Sequence, residues 1–161
     1  MSRRTARKHA FFLIFQFEFH SGFILPNQIE LYFQNKDTYR EEPELCAIST
    51  EKVTNEDKAF INDEVNGVYD NIERIDSLIS NNLSGWEIDR INKTDLAILR
   101  LAVYEMLFVS DIPNGVSINE AVELAKVYGT DESYQFINGI LGNIYEFLEE
   151  FEGVEKDALT V

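Results

Sequence analysis

An all-α fold is predicted by three features of the chain. Gly and Pro number only 8 and 3 in 161 residues, too few for the many turns of a β-sandwich. Hydrophobic content of 45 % with 12 % aromatics lies far from the disordered class. Residues 96–109, LAILRLAVYEMLFV, are apolar or aromatic at twelve of fourteen positions. Wound at 3.6 residues per turn, that run is apolar on every side, so it must be a central helix surrounded by others. It is too short for a membrane span, which needs about 20 predominantly apolar residues, and Asp95 and Asp111 close it off. Its two charges, Arg100 and Glu105, must each be paired, since an unpaired buried charge costs several kcal/mol.

One domain over residues 1–161 is expected from the length. It carries a variable polar connection at 34–55, with Pro43 and Cys46 inside it, and a short acidic tail at 152–161. Cys46 is the only cysteine, so no internal disulfide can form, and no secretory leader pattern opens the chain; the cytoplasm is the expected compartment. No His, Cys or Ser stands at the spacing of a metal or catalytic motif, so neither metal, cofactor nor enzymatic activity is expected.

The net charge of −15 argues against nucleic acid until its distribution is considered. Residues 1–17 hold Arg3, Arg4, Arg7 and Lys8 and no acid, whereas the remainder holds 10 basic against 29 acidic residues. A basic start on an acidic body reads as an interaction arm. The plainer reading is a solvated helix start, although cations there oppose the macrodipole by a few tenths of a kcal/mol each.

The first helix runs from Arg3 to about His20. Ala6, Ala10, Leu13, Ile14 and Phe17 form its core stripe. Phe12, Phe15 and Phe19 fall on roughly the opposite side, in line with Arg4 and Lys8, and are either covered by later helices or left as a partner surface. Ser21-Gly22 ends this helix, and Pro26-Asn27 opens a short apolar run at 29–33.

A third helix begins at Thr54-Asn55-Glu56-Asp57 and continues through Phe60, Ile61, Val65, Val68 and Ile72, with Gly67 as a kink or boundary. The run extends through Ile75, Leu78, Ile79 and Leu83 to Ser84-Gly85. Trp86 is assigned to the core, and Asn92 or Thr94 caps the central helix.

Asp111 to Gly115 is a turn, and Ser117-Ile118-Asn119-Glu120 reads as a capping box that starts a helix at Ile118. That helix turns Ile118, Ala121, Val122, Ala125 and Tyr128 inward, and Gly129 closes it as a C′ residue. Thr130 or Asp131 begins the last helix, whose stripe is Phe136, Ile137, Ile140, Leu141, Ile144, Phe147 and Leu148, with Gly139 allowing a neighbour's close approach.

Residues 86–141 carry a family pattern: W-x-x-x-R-I, then D-L-A-I-L-R-L-A-V-Y-E-M-L, D-I-P-x-x-V-S-I-N-E-A-V-E-L-A-K-V-Y-G and S-Y-Q-F-I-N-G-I-L. Together with the opening R-R-T-A-R-K-H-A, this text resembles the NusB family of transcription antitermination factors. The resemblance implies about seven helices in two three-helix sub-bundles. It implies binding of boxA-type single-stranded RNA together with NusE, a ribosomal small-subunit protein, within an RNA polymerase antitermination complex that promotes ribosomal RNA synthesis.

Carried over by position, the RNA-binding residues fall on Arg3, Arg4, Arg7 and Lys8, and on Phe136 with Glu120, Glu132, Ser133 and Gln135 nearby. The NusE surface falls on Phe15, Asp89 and Asp95, and Phe15 belongs to the outward stripe that also holds Phe12 and Phe19. Phe136 itself fits either a core ring or a ring that stacks on bases. Thr5 interrupts the basic run, and Tyr134 and Gln135 stand where a cation is expected, so RNA binding should be weak alone and strengthened by a basic partner.

Two other readings fit the same helices. One is an acidic scaffold that binds no RNA. The other is a stand-alone relative of the RNA-recognition domain of ribosomal RNA cytosine methyltransferases, although the chain lacks a glycine-rich cofactor loop.

Overall fold

The computed structural model describes residues 1–19, 25–35 and 53–150. Among these residues there are seven α-helices, one short 3-10 turn at Ile88–Arg90 and no strand. The helices are α1 (Arg3–Phe17), α2 (Leu25–Asn35), α3 (Asn55–Asp70), α4 (Ile72–Asn81), α5 (Lys93–Phe108), α6 (Asn114–Tyr128) and α7 (Ser133–Glu150). They fall into two compact units, 1–67 and 68–161: α1, α2 and most of α3 belong to the first, and the end of α3 with α4–α7 to the second. Most of the 34–55 connection with Cys46, the Ser21-Gly22 break, His20 and the acidic tail lie outside the described residues.

In the first unit the period-3.6 stripe of α1 is buried as expected: Ala6, Ala10, Leu13 and Ile14 are fully sealed and Phe17 nearly so. Phe11 of α1, Ile29 of α2 and Ile61 and Val65 of α3 are buried with it. The α1 N-terminus is capped by Ser2, whose Oγ accepts from the Thr5 backbone N–H at 3.1 Å. At the start of α3 the capping is reciprocal. Thr54 Oγ1 accepts from the Asp57 N–H at 3.1 Å, and Asp57 Oδ2 accepts from the Thr54 N–H at 2.9 Å. The α3 helix passes through Gly67 without interruption and ends at Asp70, so Gly67 marks the boundary between units but not the helix break.

In the second unit α5 is buried around its whole circumference from Asp95 to Val103 and again at Glu105–Leu107, and it packs against α4, α6 and α7. Its N-cap is Asn92 rather than Thr94. Both charges of its 96–109 run are paired. Arg100 meets Asp76 of α4, and Glu105 accepts from the Ser117 hydroxyl of α6 at 2.9 Å.

That second bond corrects the expected capping box. Helix α6 begins four residues earlier than expected, at Asn114 after Pro113, and Ser117 lies inside it with its hydroxyl committed to Glu105. Gly129 is also corrected. Its φ of −87° is not left-handed; instead a Cβ there would stand 2.5 Å from Ser133 Cβ, so the residue is small because α7 starts against it. Gly139 faces open space and permits no close approach. Phe147 is exposed rather than part of the α7 stripe, and Trp86, assigned to the core, is 61 % exposed.

Candidate RNA and partner interfaces

The basic arm occupies the first two turns of α1 in the first unit. Arg3 and Arg4 are exposed and Lys8 is half-buried. Arg7 is the exception, buried to 7 % exposure. Both Arg3 and Arg7 face Phe60 of α3, whose ring centroid lies 4.4 Å from the Arg3 guanidinium carbon and 5.8 Å from that of Arg7. One aromatic face thus helps to set the direction of two cations whose charges repel. Asp57 adds a tether, because its Oδ2 accepts from the Met1 ammonium at 3.2 Å as well as from Thr54. These donors hold its carboxyl below the usual range despite burial. The arm is therefore oriented by α3 and does not depend on α1 alone.

The outward aromatic stripe is present. Phe12 and Phe15 are half-buried and Phe19 is 60 % exposed. Phe15 and Phe19 meet edge to face at 5.1 Å, while Phe11 lies 5.4 Å from Phe12 and 6.3 Å from Phe15. Sequence reasoning missed Phe11. It is buried and supports the stripe from beneath, and its place next to Phe12 gave no period-3.6 signal of its own.

In the second unit, Glu132, Ser133, Gln135 and Phe136 lie at the turn from α6 to α7 and the first turn of α7, whereas Glu120 lies within α6. Ser133 is buried, and its Oγ accepts from the Thr130 N–H at 2.8 Å, which fixes the helix start. Glu132 and Gln135 are exposed, and Glu120 and Phe136 are half-buried, so Phe136 is neither sealed core nor free ring. A cation from α6 stands against Tyr134. Lys126 Nζ stands 5.7 Å from the Tyr134 ring centroid and 3.5 Å from Glu123. Gln135 Nε2 donates to the Tyr134 hydroxyl at 3.3 Å. Lys126 was not singled out from sequence, since eight positions separate it from Tyr134 and only the turn joins them.

The two acids assigned to the partner differ. Asp89 is exposed in the 3-10 turn, whereas Asp95 is 4 % exposed. The Asp95 backbone N–H donates to Asn92 Oδ1 at 2.8 Å and the Asp95 Oδ2 accepts from Asn92 Nδ2 at 2.9 Å, while its Oδ1 is buried without a donor among the described residues. Asp95 braces the start of α5, where a carboxylate is favoured by the helix dipole. Among the described residues no cluster of three metal-ligating side chains occurs, and no helix is long and apolar enough to cross a membrane.

Comparison with known proteins gives this geometry its context. A sequence profile of the NusB family matches residues 4–146. The transcription antitermination protein NusB of Acetivibrio thermocellus is 44 % identical, over 89 % of this chain and 88 % of its own length. That of Bacillus licheniformis is 41 % identical, over 92 % of this chain and the whole of its own. Among solved structures, T. maritima NusB superposes with a TM-score of 0.75 at 35 % identity, covering 94 % of this chain and 98 % of that one. NusB in a complex with NusE and double-stranded RNA gives 0.68 at 28 %, covering 90 % and 96 %. The chain belongs to the NusB family.

Proposed function

We propose that this chain is a non-enzymatic, cytoplasmic transcription antitermination factor that binds boxA-type RNA together with NusE, as part of an RNA polymerase complex that supports ribosomal RNA transcription. The observation that carries the reading is the exposed pair Arg3 and Arg4, with Lys8 one turn on, concentrated on a chain of net charge −15. Phosphate binding needs positive surface, and this arm is where the chain concentrates it. The related NusB structure solved with NusE and RNA supports the choice of partners.

Within this reading Arg3, Arg4 and Lys8 hold phosphates, and Phe136, with the neighbouring Gln135, meets an unpaired base. Arg7 orients the arm through Phe60, and Ser133 sets the helix start without touching RNA. NusE takes Phe12, Phe15 and Phe19 on the first unit and Asp89 on the second. A basic partner there offsets the field of the acidic body, which otherwise repels RNA.

The test is a titration of labelled boxA-type RNA with and without NusE, read by fluorescence anisotropy. The expected result is weak binding that tightens when NusE is present. Equal affinity in both cases, or no binding in either, contradicts the reading and favours an acidic scaffold.

A further inference from the structure

Arg3 and Arg7 stand one turn apart on α1, a spacing at which two like charges repel and drive their side chains apart. Here both turn to one ring. The distances to the Phe60 centroid, 4.4 Å and 5.8 Å, are measured from the guanidinium carbons, so the charged heads and not only the aliphatic stems meet the aromatic face. The two cations then differ in what they leave free. Arg7 is buried, whereas Arg3 is exposed and in no ion pair among the described residues, so its N–H donors stay open to an incoming anion.

The ring is carried on an element that is held at its start. Phe60 is half-buried on α3, three positions after Asp57, and residues at that spacing share a helix face. Asp57 and Thr54 cap one another there, and the Met1 ammonium also donates to Asp57. The acid on this face is therefore already satisfied by other donors and leaves Arg3 to the ring.

We propose that Phe60 is a positioning residue for RNA: it presets the direction from which Arg3 meets a phosphate and does not itself touch the RNA. The proposal rests on the function proposed above and names a residue of α3 on which the affinity of the α1 arm depends. An arginine that closes on a phosphate from free rotation loses side-chain freedom as it binds. One already held against a ring has given up part of that freedom before RNA arrives. The planar guanidinium suits this double duty, because it can lie on an aromatic face while its edge keeps N–H donors for a phosphate.

The test measures the affinity of labelled boxA-type RNA for the NusE complex by fluorescence anisotropy, for the natural protein, Phe60→Leu and Phe60→Tyr, and for Arg3→Ala with and without Phe60→Leu. Leucine keeps an apolar side chain at a half-buried position, and thermal melts check that each variant is folded at the assay temperature. Phe60→Leu should weaken RNA roughly fivefold, the cost of ordering one long side chain, while Phe60→Tyr, which keeps the ring, should bind as the natural protein does. In the Arg3→Ala background Phe60→Leu should have no further effect.

Equal affinity for Phe60→Leu and the natural protein overturns the proposal and leaves RNA binding by the complex standing. A loss of the same size with and without Arg3, or one that Phe60→Tyr shares, also overturns it, in favour of a ring that stacks on RNA or supports the fold alone. Absence of RNA binding by the natural complex overturns both the proposal and the function on which it rests.

Discussion

Arg100 Nε and a terminal nitrogen of the same guanidinium donate to the two carboxylate oxygens of Asp76, each at 2.9 Å, a bidentate pair between α5 and α4. Burial pushes the Asp76 carboxyl up and the Arg100 guanidinium down, so both groups give up hydration that their mutual bonds must offset. Asp76→Ala leaves a guanidinium whose side chain is 10 % exposed without this partner. The expected loss is about 3 kcal/mol in denaturant unfolding, at the low end for a broken buried pair because 27 % of the Asp76 side chain already meets water. The double change Asp76→Leu with Arg100→Met should cost markedly less.

Ser117 tests the corrected start of α6. If its hydroxyl serves Glu105, Ser117→Ala removes a donor from a carboxylate that is 1 % exposed and costs about 1–3 kcal/mol. Ser117→Thr, which keeps the hydroxyl, should recover part of that loss in the same unfolding measurement. A capping role predicts instead that Ser117→Asp is tolerated; against buried Glu105 it should be the most damaging of the three.

Gly129 and Gly139 should respond in opposite directions to alanine. At Gly129 the new methyl meets Ser133 Cβ at 2.5 Å and the Ala125 carbonyl oxygen at 2.7 Å, so overpacking should cost about 1–3 kcal/mol. At Gly139, inside α7 and facing open space, alanine should stabilise by about 0.5–1 kcal/mol through helix propensity and a less flexible unfolded chain. Thermal melts of the two variants check both signs.

Asp57 sets an acid limit on the first unit. Its folded pKa is lowered, so its contribution is present above the unfolded value near 4 and is lost as pH falls through the folded value. The stability difference between the natural protein and Asp57→Asn should therefore be largest near neutral pH and shrink below about pH 4. Melts at pH 7 and pH 3 give the comparison, and the difference between the two proteins removes contributions they share.

The parts legible in sequence were those with a period. The α1 stripe from Ala6 to Phe17 and the all-round apolarity of α5 follow from 3.6 residues per turn, and the need to pair Arg100 and Glu105 follows from that burial. The partners themselves, Asp76 and Ser117, were not legible. They lie 24 and 12 positions away, and only tertiary packing selects them. Ser117 was misread because S-x-x-E is a local signal, while Pro113 had already started the helix.

Trp86 and Phe147 were misread because apolar character does not say which side of a surface a residue occupies. At the site, charge asymmetry alone marked the arm. The approach of Arg7 to Phe60 was not legible, since no local pattern connects the two.

The most direct test of the central claim, that the exposed α1 cations hold RNA phosphates, is the salt dependence of RNA binding in the NusE complex. Affinities for boxA-type RNA are measured across a salt series for the natural protein and for Arg3→Ala/Arg4→Ala/Lys8→Ala. Three lost phosphate contacts should make the log–log slope shallower by about 2, from roughly 0.7 per contact on single strands, with NusE affinity in the absence of RNA unchanged. Parallel slopes for the two proteins would contradict the account.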